Sequence, residues 1–343
     1  MKLSQDRLKP TLHPAYARLV CAYFVRQGIE IEEVLQGTSL EWNSLAKDSS
    51  FISFEQFARL ARRAVEITEQ PWIGLNIGLA IQTGHHGSLG YGAVVSPSVS
   101  EAIRFVVHYM STRQRIFTAS YDVSSHGLKA KLSTDVSLDD EKEFVVCAIL
   151  GLIFRMAVTI TGNRLENCNI SLPYPEPDWV EHYHQLIPNN HLHFNQPEIA
   201  IEIPASYLQL TCLTHEASAF QMAKAECDRI KAAQERGKDI LQQVRSRLLE
   251  SSNGFLTQEE MAESLNVSPR TLMRKLKDEG TSYQDLLDEV RKEYAIWYLT
   301  KTNMSVDEVS ESLGYLDPSN FSRTFKRWLG TTPSAFRKFY SGD

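Results

Sequence analysis

The 343-residue sequence lacks the features that mark secreted, membrane-spanning and disulfide-stabilised proteins. Its N-terminal stretch has no apolar segment followed by a small-residue cleavage site, so no secretory signal is expected. The most apolar run, FVVCAILGLIF at 144–154, is far shorter than the ~18 residues of a spanning helix and predicts a buried core helix without membrane contact. The five cysteines include no Cys-x-x-Cys pair, which predicts reduced thiols and a cytoplasmic location.

The sequence also lacks the short motifs of common enzyme classes. It has no Gly-x-Ser-x-Gly, no His-Glu-x-x-His and no cysteine cluster, and GHHGSLGYG (84–92) does not have the glycine order of a nucleotide-binding loop. HYH (182–184) and HLH (191–193) could each offer two imidazoles to a metal, but no cysteine or carboxylate cluster completes a ligand set. We therefore expect no catalytic residues, no metal and no cofactor.

An excess of positive charge is missing too. The net charge is −6, and residues 237–343 carry 15 basic and 16 acidic side chains. Neither part of the chain is basic as a whole. Nucleic-acid binding would therefore have to come from a local arrangement of charges at a contact surface.

Periodicity divides the chain into three parts. Residues 1–212 mix amphipathic helices with alternating strand patterns, including a hairpin around SSHG (124–127), and predict an α+β domain. The charged segment 213–237 predicts a helical linker that ends at Gly237. Residues 238–343 show no strand signal and predict an all-α domain. The Gly- and Ser-rich segment 84–100 predicts a loop beside a ligand pocket, where His85, His86 and Tyr91 either line the pocket or serve in packing.

The all-α part contains one unit twice, at 258–283 and 306–333. Each copy predicts a helix, a tight turn and a second helix, which is the helix-turn-helix arrangement. Ser268 and Pro269 are typical of a helix start in the first copy, and Pro318 with Ser319 in the second. The helical segment 283–302 joins the copies and would be about 28 Å long, close to the ~34 Å between successive major-groove faces of DNA.

Basic residues concentrate on the second helix of each copy. Segment 268–277 has four basic residues and no acidic one, and 319–328 has three and none. The leucines at 272 and 276 are predicted to point inward, as are the aromatic residues at 321, 325 and 328. Arginine suits paired hydrogen bonds to guanine, which favours insertion of these helices into the major groove.

These motifs resemble the DNA-binding domain of the AraC/XylS transcription regulators over about residues 238–340, above all in GYLDPSNFSRTFKRWLGTTPSAFR (314–337). The resemblance implies base contacts from Arg270, Met273, Arg274, Ser319, Asn320, Ser322 and Arg323. It implies phosphate contacts from Lys277, Lys326 and Arg327. Ser310 and Ser312 stand where the family usually has small apolar residues, and Met273 stands where it has a polar one.

The N-terminal part is similar to the effector-binding domain of AraC-like regulators in GSLGYGAVVSPSVSEAIRFVVHYM (87–110) and HFNQPEIAIEIPASYL (193–208). This implies a homodimeric regulator of promoter DNA, activating through RNA polymerase or repressing, and a small effector such as an amino acid, a fatty acid or an aromatic acid. The residues that bind the effector are not assigned. Two alternatives remain: an N-terminal enzyme that the C-terminal domain targets to DNA, and a regulator without a ligand.

Overall fold

The computed structural model describes residues 6–45, 51–236, 240–250 and 255–341. These residues form two compact units. The first comprises residues 11–236 with residues 6–7, and the second comprises residues 240–341 with residues 8–10. The predicted fold class, an α+β part followed by an all-α part with two helix-turn-helix motifs, is confirmed.

The first unit combines helices of 4 to 20 residues with short strands. Its helices are α1 (Ala15–Val25), α2 (Ile31–Leu35), α3 (Trp42–Leu45), α4 (Phe54–Thr68), α5 (Ile73–Ala80), α6 (Gly87–Val94), α7 (Val99–Tyr109), α8 (Lys142–Thr161), α9 (Glu181–Leu186), α10 (Ala205–Leu208) and α11 (Ala217–Arg236). The strands are β1 (Pro10–Leu12), β2 (Ile52–Ser53), β3 (Thr118–Val123), β4 (Gly127–Ser133), β5 (Asn169–Ser171), β6 (His191–His193) and β7 (Ile199–Pro204).

The second unit is helical throughout its described residues. Its helices are α12 (Ile240–Glu250), α13 (Gln258–Ser264), α14 (Pro269–Asp278), α15 (Tyr283–Lys301), α16 (Val306–Ser312), α17 (Pro318–Leu329) and α18 (Pro333–Ser341).

A five-stranded sheet of order β3-β4-β7-β5-β6 supports the first unit. All neighbours are antiparallel except β5 and β6, which are parallel. The hairpin predicted around SSHG is confirmed, with Val123 opposite Leu128 across the turn. Leu128, Ile170 and Ile201 are buried in the same apolar cluster as the central helices, so one sheet face forms a wall of the core.

Helix α8 is the apolar run that the sequence predicts as a core helix, and this prediction is confirmed. Phe144, Val146 and Leu150 are buried in the main core, while Ala148 and Ile153 lie against an internal cavity. By length and composition alone the segment Asp139–Thr161 could cross a membrane, and half of that window is buried inside the protein. The apolar side chains of this helix therefore serve both the core and the cavity, and Phe144 and Leu150 border both.

The prediction of a loop over 84–100 is wrong, because residues 87–94 form helix α6. Gly92 in this segment serves close packing rather than turning. A Cβ at Gly92 would lie 2.3 Å from the ring of Phe105 on α7. Helices α5 and α8 approach each other in the same way, since a Cβ at Gly78 would lie 2.3 Å from the carbonyl oxygen of Ala148.

The segment predicted as a helical linker contains α11, whose buried side chains belong to the first unit. Ala223 and Cys227 are buried in a cluster with Phe105 and Leu89. The hydroxyl of Tyr109 donates to Asp228 at 2.6 Å. Apolar packing and this hydrogen bond hold α11 against α6 and α7.

A buried ion network lies beneath the N-terminal residues of the first unit. Glu55 is 1% exposed and accepts from Arg7 at 2.9 Å and from Arg59 at 3.3 Å. Arg62 also pairs with Glu141, and Arg7 pairs with the same carboxylate at 3.3 Å. Burial by itself would raise the pKa of Glu55, but the guanidinium groups of Arg59, Arg7 and Arg62 together lower it.

This network predicts a loss of stability in acid. Because the pKa of Glu55 is lower in the folded than in the unfolded chain, its contribution is present above the unfolded value of about 4.3 and is lost as the pH falls further. Urea midpoints of the first unit should therefore decrease from pH 7 to pH 3, and Glu55→Gln should reduce that difference. Glu101→Gln, which removes an exposed carboxylate, is the control. An equal reduction in both variants would contradict the assignment.

Candidate nucleic-acid interface and effector cavity

The first helix-turn-helix motif consists of α13 and α14. Thr257 caps α13 and exchanges hydrogen bonds with Glu260, at 3.2 and 2.7 Å. Ser268 caps α14 by accepting from the backbone N–H of Thr271 at 3.1 Å, and Pro269 occupies the first helical turn, as predicted. These caps satisfy backbone donors that would otherwise lack partners, so the sequence sets both helix starts locally.

The second motif consists of α16 and α17. Ser305 and Glu308 form the same reciprocal cap at the start of α16. The turn passes through Gly314 at φ 75°, a left-handed conformation that glycine adopts without a Cβ penalty. Asp317 caps α17 by accepting from the N–H of Ser319 at 2.8 Å. This cap was not predicted from the sequence, although an Asp-Pro pair is typical of a helix start.

Helix α15 holds the two motifs together. Its N-terminal half, including Leu286 and Val290, packs in the core of the first motif, and its C-terminal half, including Ile296 and Leu299, packs in the core of the second. Between them, the guanidinium of Arg291 lies 5.3 Å from the ring of Phe255 and 4.9 Å from the ring of Tyr315. The two motifs thus share one 19-residue helix, about 28 Å long.

The inward-facing predictions for α14 and α17 are confirmed for the four side chains that are completely buried, Leu272, Leu276, Phe321 and Phe325. Trp328 is half-buried. Among the predicted DNA contacts, Ser322 is half-buried and all the others are exposed. The exposed set is Arg270, Met273, Arg274, Lys277, Ser319, Asn320, Arg323, Lys326 and Arg327.

Three of these candidates have side-chain partners on the protein surface. Arg323 donates through Nη2 to Oδ1 of Asn320 at 2.7 Å, which holds both side chains at the start of α17. Arg327 donates to Asp288 on α15 at 3.4 Å. Arg323 is therefore bonded within α17, whereas Arg327 reaches the neighbouring helix α15.

Two exposed residues in this region were not predicted from the sequence. Leu316 is fully exposed immediately before the cap of α17, and Lys275 is exposed on α14. Leu316 could have been identified from the sequence by its position, since it is a leucine in a turn and not on the apolar face of a helix. Apolar side chains in this position can contact the methyl group of thymine.

The first unit contains a cavity of about 330 Å³. Helices α1, α4, α5, α7 and α8 and strands β4 and β7 contribute its walls. Aliphatic and aromatic side chains dominate the lining, and the polar side chains among them are Tyr16, His86, Gln114, Lys131, Thr161 and Tyr207. The size and apolar character are those of a small-molecule site.

Of the three pocket residues considered from the sequence, His86 lines this cavity. Tyr91 is half exposed on the surface, and His85 is outside the lining. His86 is 4% exposed, with Nδ1 3.4 Å from the Tyr16 hydroxyl. Burial and then the charge of Arg113 lower the pKa of His86 to about 4, while burial raises the pKa of Tyr16 to about 12. Both side chains are therefore neutral at neutral pH.

The histidine motifs do not combine into a metal site within the described residues, where no group of three potential ligands is found. HYH lies on α9 rather than on a strand, with Tyr183 buried and His182 stacked 3.6 Å from the ring of Trp72. HLH forms β6, where both histidines are exposed.

Comparisons with known proteins agree with this two-part arrangement. The arabinose-binding domain of AraC transcription regulators, N-terminal, matches residues 28–212, and a helix-turn-helix domain matches residues 261–338. The first match alone spans more than half of the chain.

Curated relatives extend over nearly the whole chain. The ornithine utilization regulator of Pseudomonas aeruginosa is 26% identical over 324 residues, 94% of this chain and 95% of the relative. The transcriptional regulator VqsM of the same organism is 25% identical over 78% of this chain and 84% of its own. The solved structure of CdpR from P. aeruginosa covers 94% of this chain and 98% of its own at 21% identity, with a TM-score of 0.48. Because an AraC-type domain and a helix-turn-helix domain match in the family's order, the chain belongs to the AraC family of DNA-binding transcription regulators.

Proposed function

We propose that this regulator reads promoter DNA with α14 and α17 and that a small molecule in the cavity of the first unit controls it. The observation that carries the proposal is the pair of capped helices with basic exposed faces, packed on the shared helix α15. A rigid connection of that length suits insertion into successive major-groove segments on one side of the duplex. We place the protein in the cytoplasm as a homodimer without catalytic activity.

The proposed contacts divide into two groups by chemistry. Base edges would be read by residues near the start of each helix: Arg270, Met273, Arg274, Ser319, Asn320, Ser322 and Arg323. Phosphates would be bound by the more distal cations Lys277, Lys326 and Arg327. Arginine offers a planar pair of donors to guanine, whereas lysine acts on a phosphate as a point charge.

Control by a ligand requires that the effector bind the DNA-competent and the incompetent states with different affinity. The N-terminal family match and the apolar cavity support this role. If the regulator activates, RNA polymerase is the further partner that we propose.

Selection from randomised duplexes tests the function directly. The purified full-length protein should enrich a sequence with two conserved segments separated by about one helical turn, 10–10.5 base pairs from centre to centre. Footprints of that sequence should show protection on one face of the DNA. Absence of any enriched sequence, with or without metabolite extract, would contradict the proposal. Conversion of a ligand by the full-length protein would favour the enzyme alternative.

Lys326→Ala should weaken binding to all duplexes by a similar factor. Lys326 is exposed on α17, and the loss of one phosphate contact should reduce the slope of log K against log salt by about 0.9. Titrations of the selected site and of a scrambled duplex at several salt concentrations measure this. Lys224→Ala, an exposed lysine on α11, is the matched control and should leave the slope unchanged. A loss restricted to the selected site would assign Lys326 to base reading instead.

A further inference from the structure

The two helix-turn-helix motifs have separate buried cores on the shared helix α15. Leu286 and Val290 belong to the core of the first motif, whereas Ile296 and Leu299 belong to the core of the second. Because the cores are separate, either motif could pivot about α15 without disturbing the packing of the other. The angle between α14 and α17 therefore depends on the residues at the boundary between the two cores.

Arg291 on α15 lies at this boundary and contacts both motifs. Its guanidinium carbon is 5.3 Å from the ring centroid of Phe255, which precedes α13, and 4.9 Å from that of Tyr315, which lies in the turn before α17. Its Nη2 atom is 3.4 Å from the place that a Cβ on Gly314 would occupy, so the side chain fits closely against this turn. One side chain thus joins the segment that enters the first motif to the turn of the second.

The aromatic contacts of Arg291 continue into the packing of both motifs. On one side, the Tyr315 ring lies 5.5 Å from the ring of Phe321, a completely buried residue of α17. On the other side, the Phe255 ring lies 6.1 Å from the ring of Tyr294 on α15, and Phe255 and Tyr294 pack against both cores. A displacement of Arg291 would therefore reach the buried side of α17.

Aromatic rings, and not an acid, stabilise the charge of Arg291. Asp288, one turn away on α15, pairs with Arg327 at 3.4 Å, and Glu293 pairs with Arg245. The Nε atom of Arg291 is buried and has no hydrogen-bond partner among the described residues. A guanidinium within 6 Å of two ring centroids is held by cation–π attraction, which depends on its position over the rings and so resists displacement.

We propose that Arg291 is a positioning residue that fixes the angle and separation of α14 and α17, and thereby determines which spacing between the two conserved segments of a duplex the protein accepts. This rests on the proposed function, because both helices must read one duplex. One base pair added between the segments moves the second by ~3.4 Å along the DNA and rotates it by about 34°. A firm boundary cannot follow both changes, whereas a loosened one can follow them in part.

Affinities for three duplexes test the proposal: the selected duplex, and the same duplex with one base pair added or removed between its segments. The full-length protein should bind both altered duplexes at least about 30-fold more weakly, because one motif loses its base contacts. Arg291→Met keeps an unbranched side chain but removes the charge and the planar group. It should reduce this discrimination by about 5- to 30-fold, the combined strength of two cation–π contacts. Arg291→Lys, which keeps the charge alone, should lie between the two.

The discrimination compares duplexes on one protein preparation, so it does not depend on the folded fraction. If Arg291 served stability alone, Arg291→Met would weaken binding to all three duplexes by the same factor and leave the discrimination unchanged, which would overturn the proposal. Lys301→Met removes an exposed charge from the same helix and should leave the discrimination unchanged. An equal reduction in this control would also overturn the proposal.

A measurement without DNA reports on the boundary directly. Spin labels at Lys275→Cys on α14 and Lys326→Cys on α17 give the distribution of distances between two exposed positions, and the five native cysteines are buried. Labelled protein is diluted with unlabelled protein, so that the distances come from single chains. The distribution should be broader with Arg291→Met than with Arg291 in place, and an equal width would contradict the positioning role.

The two measurements separate this inference from the proposed function. If the distances broaden but no duplex is selected, the positioning role of Arg291 stands while the proposed function fails. If a duplex is selected but the unaltered protein accepts all three spacings equally, DNA reading stands while the inference fails.

Discussion

Replacing Arg274 and Arg323 together by alanine is expected to weaken binding to the selected operator by about 2–6 kcal/mol, roughly 30-fold to 10⁴-fold. Each arginine at a guanine edge contributes about 1–3 kcal/mol of discrimination. The two effects should add, because the residues lie on separate motifs and share no partner in the described chain. The single variants should each relax selectivity at one base position, and Arg323→Ala should also free Asn320.

Lysine substitutions at the same two positions provide the control. Arg274→Lys with Arg323→Lys keeps both charges but loses the planar pair of donors. This variant should lose sequence selectivity while the salt dependence of binding stays unchanged. Unaltered affinity and selectivity in the double alanine variant would show that neither helix reads bases through these residues.

The double motif could be predicted from the sequence because its signals are local. Ser268 and Pro269 fix a helix start within three residues, and the buried leucines and phenylalanines recur at helical spacing within one helix. Repetition of this pattern in two copies then separates a structural motif from a chance amphipathic helix. Each of these features depends on near neighbours in the chain, so no tertiary information is needed to recognise it.

Helix α6 could not be predicted for a physical reason. Glycine at 92 is required because the ring of Phe105 occupies the place of a side chain, but Phe105 lies on another helix. In the sequence, such a glycine looks the same as one that forms a turn. The loop prediction for 84–100 was therefore wrong, since packing overrides the local preference.

The cavity was also beyond local reasoning. Tyr16 and His86 come from separate segments and line the cavity together only in the folded unit. Helix α8 adds an ambiguity of its own, because side chains that line a cavity are as apolar as side chains that pack in the core, and Phe144 and Leu150 do both. The sequence accordingly suggested His86 but gave no indication of Tyr16.

Phe325→Ala is expected to destabilise the second unit by about 3–5 kcal/mol. The side chain is completely buried, and its ring lies 5.7 Å from that of Phe321 and 5.4 Å from that of Phe336, both in edge contact. The truncation would leave a cavity where α16, α17 and α18 meet, and both aromatic contacts would be lost. DNA binding should decrease with the folded fraction of this unit.

Hydrogen exchange of the full-length variant measures this effect region by region. Protection within residues 255–341 should decrease by roughly 10²- to 10⁴-fold, while protection within residues 51–236 should be retained, because the two units have separate cores. Leu316→Ala is the matched control, since it also shortens an apolar side chain of the second motif but one that is fully exposed. It should change stability by no more than about 0.5 kcal/mol. Similar losses in both variants, or none in Phe325→Ala, would show that this aromatic core does not hold the recognition helix in place.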